Sequence, residues 1–170
     1  MKRLVASFGV VWGAAGVIGM LGFAVYRLAP RAVEAFEMGL TPFQWLATAV
    51  VCLFMAYTEG YRGFQLRFSP RTAARIRYLR DRPHGVRSLL APLFAMGFFH
   101  ATRRTKAMAY GVTIGVIALV VLIQRLDQPW RGIIDAGVVV GLSWGILSLA
   151  GYVVQALTQP SYAVSPEVGG

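Results

Sequence analysis

Charge-free apolar runs dominate the chain. Residues 4–26 hold 23 positions without a charged side chain, residues 40–58 hold 19 and residues 107–124 hold 18. A fourth charge-free stretch covers 136–166, and its apolar part ends near Leu157. About 20 helical residues cross the roughly 30 Å of a bilayer's hydrocarbon layer. Backbone polar groups in lipid must be satisfied within the segment, so each run is read as a helix. The pattern predicts an all-α integral membrane protein in one domain spanning 1–170. Its four transmembrane helices cover about 4–26, 42–60, 107–125 and 132–157. The first follows Lys2 and Arg3 and exceeds the apolar length of a cleavable leader; no small-x-small cleavage site comes after it. It reads as a retained anchor.

Two shorter patterns lie in the connecting segment 61–106. Ser69-Pro70 reads as a helix cap followed by proline at the first helical position. Behind it, Ala73, Ile76 and Leu79 recur at spacing three beside Arg71, Arg75 and Arg82. This predicts a short, basic amphipathic helix lying on the membrane surface. Residues 88–102 are uncharged but number only 15 and contain Pro92 and Gly97, which suits a re-entrant or interfacial segment better than a fifth span. The first loop, with Glu34 and Glu37, is read as one or two turns on the outer surface. The tail 158–170, with two prolines and a Gly-Gly end, is expected to fray.

Composition supports the membrane class. Hydrophobic residues make up 56% and charged residues 14%, against about 45–50% and 25% in soluble domains. With a mean hydropathy of +0.58, these values exclude an ordinary soluble fold and a disordered chain. A single cysteine, Cys52, excludes an internal disulfide, and the two histidines cannot supply the four ligands of a two-haem bundle.

Charge then sets orientation. Seventeen Lys and Arg face seven Asp and Glu. With four spans, thirteen basic residues fall on the side of both termini and the 61–106 segment, and four on the other. The positive-inside rule puts both termini and that segment in the cytoplasm of a bacterial-type inner membrane. A fifth crossing through 88–102 would leave twelve against five, so length rather than charge decides that segment.

The strongest packing signal is glycine at four-residue spacing: Gly137, Gly141 and Gly145 in the last span, Gly9 and Gly13 in the first, Gly111 and Gly115 in the third. Small residues let membrane helices approach closely, and packing within one bundle is the favoured reading, with some self-association. Arg62, Arg71, Arg75, Arg103, Arg104 and Lys106 are the candidate ligands for anionic lipid headgroups. Glu59 at the inner end of the second span and His100 are the weak catalytic candidates, because a Glu–His pair beside arginines could do acid–base work on a lipid phosphate. The simpler expectation is a Glu59–Arg62 pair and a solitary interfacial histidine. Asp135 is expected to pair with Arg131 or Arg125. Thr48, Thr113, Ser143 and Ser148 are too sparse to line an ion path.

No metal cluster, phosphate loop or hydrolase motif is present in the sequence, and no cofactor or nucleic-acid partner is expected. The function expected is that of a non-catalytic accessory, assembly or scaffold component of the membrane. Its partners would be lipids and either a second copy or another membrane protein. The alternatives are an enzyme acting on a lipid or isoprenoid phosphate at the cytoplasmic surface, and a small oligomeric transporter or channel.

Overall fold

The computed structural model describes residues 2–169. The chain is all-helical, with no strand among the described residues: α1 (Lys2–Glu37), α2 (Pro42–Met55), a π-helical segment (Ala56–Phe68), α3 (Ser69–Asp81), α4 (Gly85–Leu89), α5 (Ala91–Met96), α6 (Arg103–Ile123) and α7 (Trp130–Thr158). Three of these, α1, α6 and α7, are long and apolar enough to cross a membrane.

Helix α1 is longer than the span read from its sequence. It runs through Pro30 to Glu37 rather than turning at the first loop, because Ala32 and Ala35 are buried there and Ala35 meets Gly132 of α7. Helix α2 begins at a full capping box. The Thr41 hydroxyl accepts from the Gln44 amide at 3.3 Å, and the Gln44 side chain accepts from the Thr41 amide at 2.9 Å.

From Pro42 to Asp81 the helical path is unbroken, and this corrects the reading of Ser69-Pro70 as a helix start. Ser69 has helical dihedrals, and its amide bonds back to Phe64, five residues earlier. The wider π turn spaces the backbone ahead of Pro70, a residue that a regular α-helix interior tolerates poorly. Nor does α3 lie on a surface. Ala73, Ile76 and Leu79 are fully buried, and α3 packs against α1, α5 and α7.

The main core forms at this end of the bundle, from Val17, Ala73, Ile76, Ala95, Leu149, Val153 and Ala156. A second cluster of Leu79, Ala91 and Phe94 adjoins α5. The segment 88–102 holds the end of α4, all of α5 and the turns that follow, and the two short helices are seated on α1 glycines. A Cβ on Gly9 would lie 2.7 Å from Ser88 Oγ, and one on Gly13 would lie 3.3 Å from Ala91. Five- and six-residue helices rise only about 9 Å, far less than a bilayer.

Helix α6 stands clear of the bundle: apart from Thr105 and Ile123 at its ends, none of its residues is buried. A wide apolar surface is bare elsewhere too, including Phe8, Phe23, Phe43, Leu53, Phe54 and Leu147. Lipid is the solvent that such a surface suits.

Candidate functional site

Three features of the bundle bring chemistry-bearing side chains together. The first is the seam along α7. A Cβ on Gly137 would lie 2.7 Å from Val51, one on Gly141 would lie 3.1 Å from a Glu59 carboxylate oxygen, and one on Gly145 would lie 2.6 Å from the Phe64 ring. The glycines recur every four residues. The side chains they receive step by four from Val51 to Met55 and Glu59, and then by five to Phe64. The extra residue falls within the π-helical segment, whose wider turn holds the side chains in register with the glycine row. Trp144 packs against Gly60, where a Cβ would lie 2.9 Å from it, and donates its indole N–H to Gln65 at 2.7 Å. The α7 glycines therefore pack within the chain. Those of α1 seat α4 and α5, while Gly111 and Gly115 face open space.

This seam moves Glu59 and Arg62 from where the sequence puts them. Gly60 and Phe64 meet Trp144 and Gly145, which stand at the middle of α7 rather than at its end. Glu59 does not pair with Arg62. Among the described residues the ion pairs are Arg77–Asp81 at 3.4 Å and Arg80–Asp81 at 2.9 Å. Arg62 is exposed and lies 6.0 Å from the centre of the Tyr57 ring.

The second feature is Arg75, and it overturns the expectation for that residue. Its side chain is fully buried and cannot reach a headgroup. Nε donates to the Phe94 carbonyl at 2.6 Å, Nη1 to Pro166 at 2.8 Å and Glu167 at 3.4 Å, and Nη2 to Phe99 and His100 at 3.0 Å each. The guanidinium also lies 4.1 Å over the Phe94 ring. His100 and Glu167 turn their carbonyls inward from left-handed backbone, at φ 44° and 47°. Burial, with the Arg71 charge beside it, pulls the Arg75 guanidinium down to about 10, which leaves it charged at neutral pH.

Through Arg75 the C-terminal tail is held rather than frayed. Glu167 accepts from the Thr102 amide at 3.2 Å and bonds Thr105 through its carboxylate. Tyr162 donates its hydroxyl to the Pro70 carbonyl at 3.1 Å; burial pushes that phenol up to about 12. Arg77 and Arg80 serve the same end. They donate to the carbonyls of Ala156, Leu157, Gln159 and Pro160, the unsatisfied groups at the α7 C-terminus.

Glu59 and His100 do not converge. Glu59 packs on Gly141, whereas the His100 carbonyl sits at Arg75, and the rod from Glu59 to Arg75 is roughly 20 Å long. No group of three or more metal-ligating side chains exists among the described residues.

What remains on the surface is a file of arginines. Arg62 and Arg67 are exposed and Arg71 half-buried. Their spacing of five and then four follows one face, since the first step lies in the π-helical segment. The file climbs from beside the middle of α7 towards Arg75, and Arg103, Arg104 and Lys106 lie in the first turn of α6. No carboxylate of the described residues lies within 4.0 Å of any of the six.

The third feature, missed by the sequence reading, is a polar cleft of about 440 Å³ at the opposite end. It is lined by Arg31, Glu34, Gln124, Leu126, Asp127, Gln128 and Arg131. The Gln128 amide braces it, donating to the Arg31 carbonyl at 3.2 Å and to Glu34 at 3.1 Å, and accepting from the Gly132 amide at 3.0 Å. Its parts come from α1, from the turn between α6 and α7 and from the first turn of α7, which no local sequence pattern links. Comparison with known proteins finds no matching family model, no matching curated protein and no matching solved structure.

Proposed function

We propose that this chain is a non-catalytic accessory or scaffold protein of a bacterial-type inner membrane, one that gathers anionic lipid headgroups on its cytoplasmic side. In this reading α1, α2 with the start of the π-helical segment, α6 and α7 make four crossings. Both termini, α3, α4 and α5 then lie at the cytoplasmic end.

One observation carries the reading: the arginines are divided by role. Arg75, Arg77 and Arg80 donate to internal carbonyls, whereas exposed Arg62 and Arg67 and half-buried Arg71 form a file with no carboxylate partner among the described residues. An unpaired guanidinium beside apolar surface is costly unless anions or water reach it. Phosphodiester headgroups drawn along the file would satisfy it, and each such arginine supplies about 1 kcal/mol to anionic-lipid binding. The separation of Glu59 from His100 speaks against the headgroup-processing alternative. The close packing of Gly137, Gly141 and Gly145 speaks against a transport path along that seam.

The test is lipid retention. Purified protein is titrated with phosphatidylglycerol, and bound lipid is counted by native mass spectrometry. The triple variant Arg62→Gln, Arg67→Gln, Arg71→Gln is expected to lose about 3 kcal/mol, on the order of a hundredfold in affinity, with its melting temperature unchanged. Undiminished retention in a folded triple variant would overturn the proposal.

A further inference from the structure

The cleft at the other end has a charge arrangement that calls for a particular ligand. Of the charged residues lining it, Arg31 and Arg131 are half-buried and Glu34 and Asp127 exposed, so the cations lie at the more sheltered level and the carboxylates at the more open one. The four charges share one cleft, yet neither guanidinium lies within 4.0 Å of either carboxylate. Gln128 takes up Glu34 instead and helps keep the space open. The Arg131 Nε is buried with no hydrogen-bond partner, an unusual state for a guanidinium nitrogen. Asp135, 3% exposed with one carboxylate oxygen unpartnered, lies one turn deeper, close enough for its charge to act with that of Arg31.

Two cations against three carboxylates disfavour a simple anion. A zwitterion fits both levels: an anionic group between the two guanidiniums, and a cationic group outward between Glu34 and Asp127. We infer that this cleft binds a phosphoethanolamine group, with its phosphate on Arg31 and Arg131 and its ammonium on Glu34 and Asp127. Charge-assisted hydrogen bonds from planar guanidiniums suit the phosphate, and a primary ammonium can donate to both exposed carboxylates where a quaternary choline cannot. The group can arrive on a phospholipid or as a free phosphoethanolamine. The inference uses charges distinct from the arginine file and stands apart from the lipid reading above.

Full-length protein in mild detergent is titrated with phosphatidylethanolamine, phosphatidylcholine and phosphatidylglycerol, and adducts are resolved by native mass spectrometry. Wild type is expected to retain the ethanolamine lipid about tenfold better than the choline lipid. Arg31→Gln with Arg131→Gln should abolish that preference while the protein stays folded, because neither guanidinium hydrogen-bonds another described residue. Its phosphatidylglycerol retention through the arginine file should persist. Glu34→Gln with Asp127→Asn should keep phosphate binding but lose the discrimination between ethanolamine and choline. Soluble O-phosphoethanolamine that displaces the lipid would identify the free compound as a sufficient ligand; a lipid that resists displacement would identify the membrane as the source. Equal retention of ethanolamine and choline lipids by wild type, or an unchanged preference in the folded double-arginine variant, would overturn the inference.

Discussion

Replacing Arg75 with methionine is expected to release the C-terminal tail and to cost about 3–5 kcal/mol of stability. Methionine fills much of the volume but donates nothing, so the carbonyls of Phe94, Phe99, His100, Pro166 and Glu167 lose their common donor in a buried place. The left-handed backbone at His100 and Glu167 loses the contact that draws it inward. Hydrogen exchange should therefore accelerate at the Thr102 amide, whose bond to the Glu167 carbonyl closes the tail. Protease should cut faster within 159–169, a segment tethered in wild type by the hydrogen bonds of Tyr162, Pro166 and Glu167. Arg75→Lys should fall between the two, since one ammonium keeps the charge but cannot bridge carbonyls from three segments. Arg62→Met, at an exposed position, should leave both readouts unchanged. A slow Thr102 amide in Arg75→Met would show that the tail is held by something else.

The second large effect is a reversal of sign between glycines of identical sequence appearance. Gly145→Ala places a methyl 2.6 Å from the Phe64 ring, closer than carbon atoms pack, and that ring is held edge-on by Phe68 at 5.4 Å. A loss of about 2–3 kcal/mol is expected as the π-helical segment shifts off α7. Gly115→Ala meets nothing within 4 Å and removes a flexible residue from a helix interior. It is expected to be neutral or to stabilise by up to about 1 kcal/mol. Thermal melts of the two variants in one detergent provide the comparison, and a shift of equal size and sign would contradict the packing described here.

That pair of glycines illustrates what was legible in the sequence and what was not. Small-residue spacing marks helices that can approach closely, but not which of them do. Gly141 and Gly111 carry the same pattern, and only the fold tells them apart. The apolar runs announced α1, α6 and α7 because lipid and core impose the same demand on composition. The second span was harder. Its helix does not end where polarity returns at Glu59; it widens into a π turn and continues to Asp81, so Arg62 stands beside the middle of α7. Nothing in AYTEGYRGFQLRF advertises a change of helical pitch.

Arg75 was hidden for a different reason. Its partners are backbone carbonyls, which every residue has, so no side-chain signature distinguishes it from Arg71 one turn earlier. The same holds for Arg77 and Arg80, which cap α7 through main-chain oxygens. The tail looked free because prolines and glycines make no periodic pattern. It is fixed instead by Tyr162, Pro166 and Glu167 acting individually. The polar cleft was invisible because Arg31 and Arg131 are brought together only by the antiparallel contact of α1 with Gly132.

A lipid-gathering role on the cytoplasmic side requires α3, α4 and α5 to face the cytoplasm and the α1–α2 turn to face outward. In a Cys52→Ser background, single cysteines are placed by Met38→Cys in the α1–α2 turn, His84→Cys before α4 and Ala163→Cys in the tail, all exposed positions. A membrane-impermeant maleimide is then applied to intact spheroplasts and to inverted vesicles. Met38→Cys should label only in spheroplasts, and His84→Cys and Ala163→Cys only in inverted vesicles. Labelling of His84→Cys from the outside, on the same face as Met38→Cys, would contradict the arrangement on which the lipid-gathering role rests.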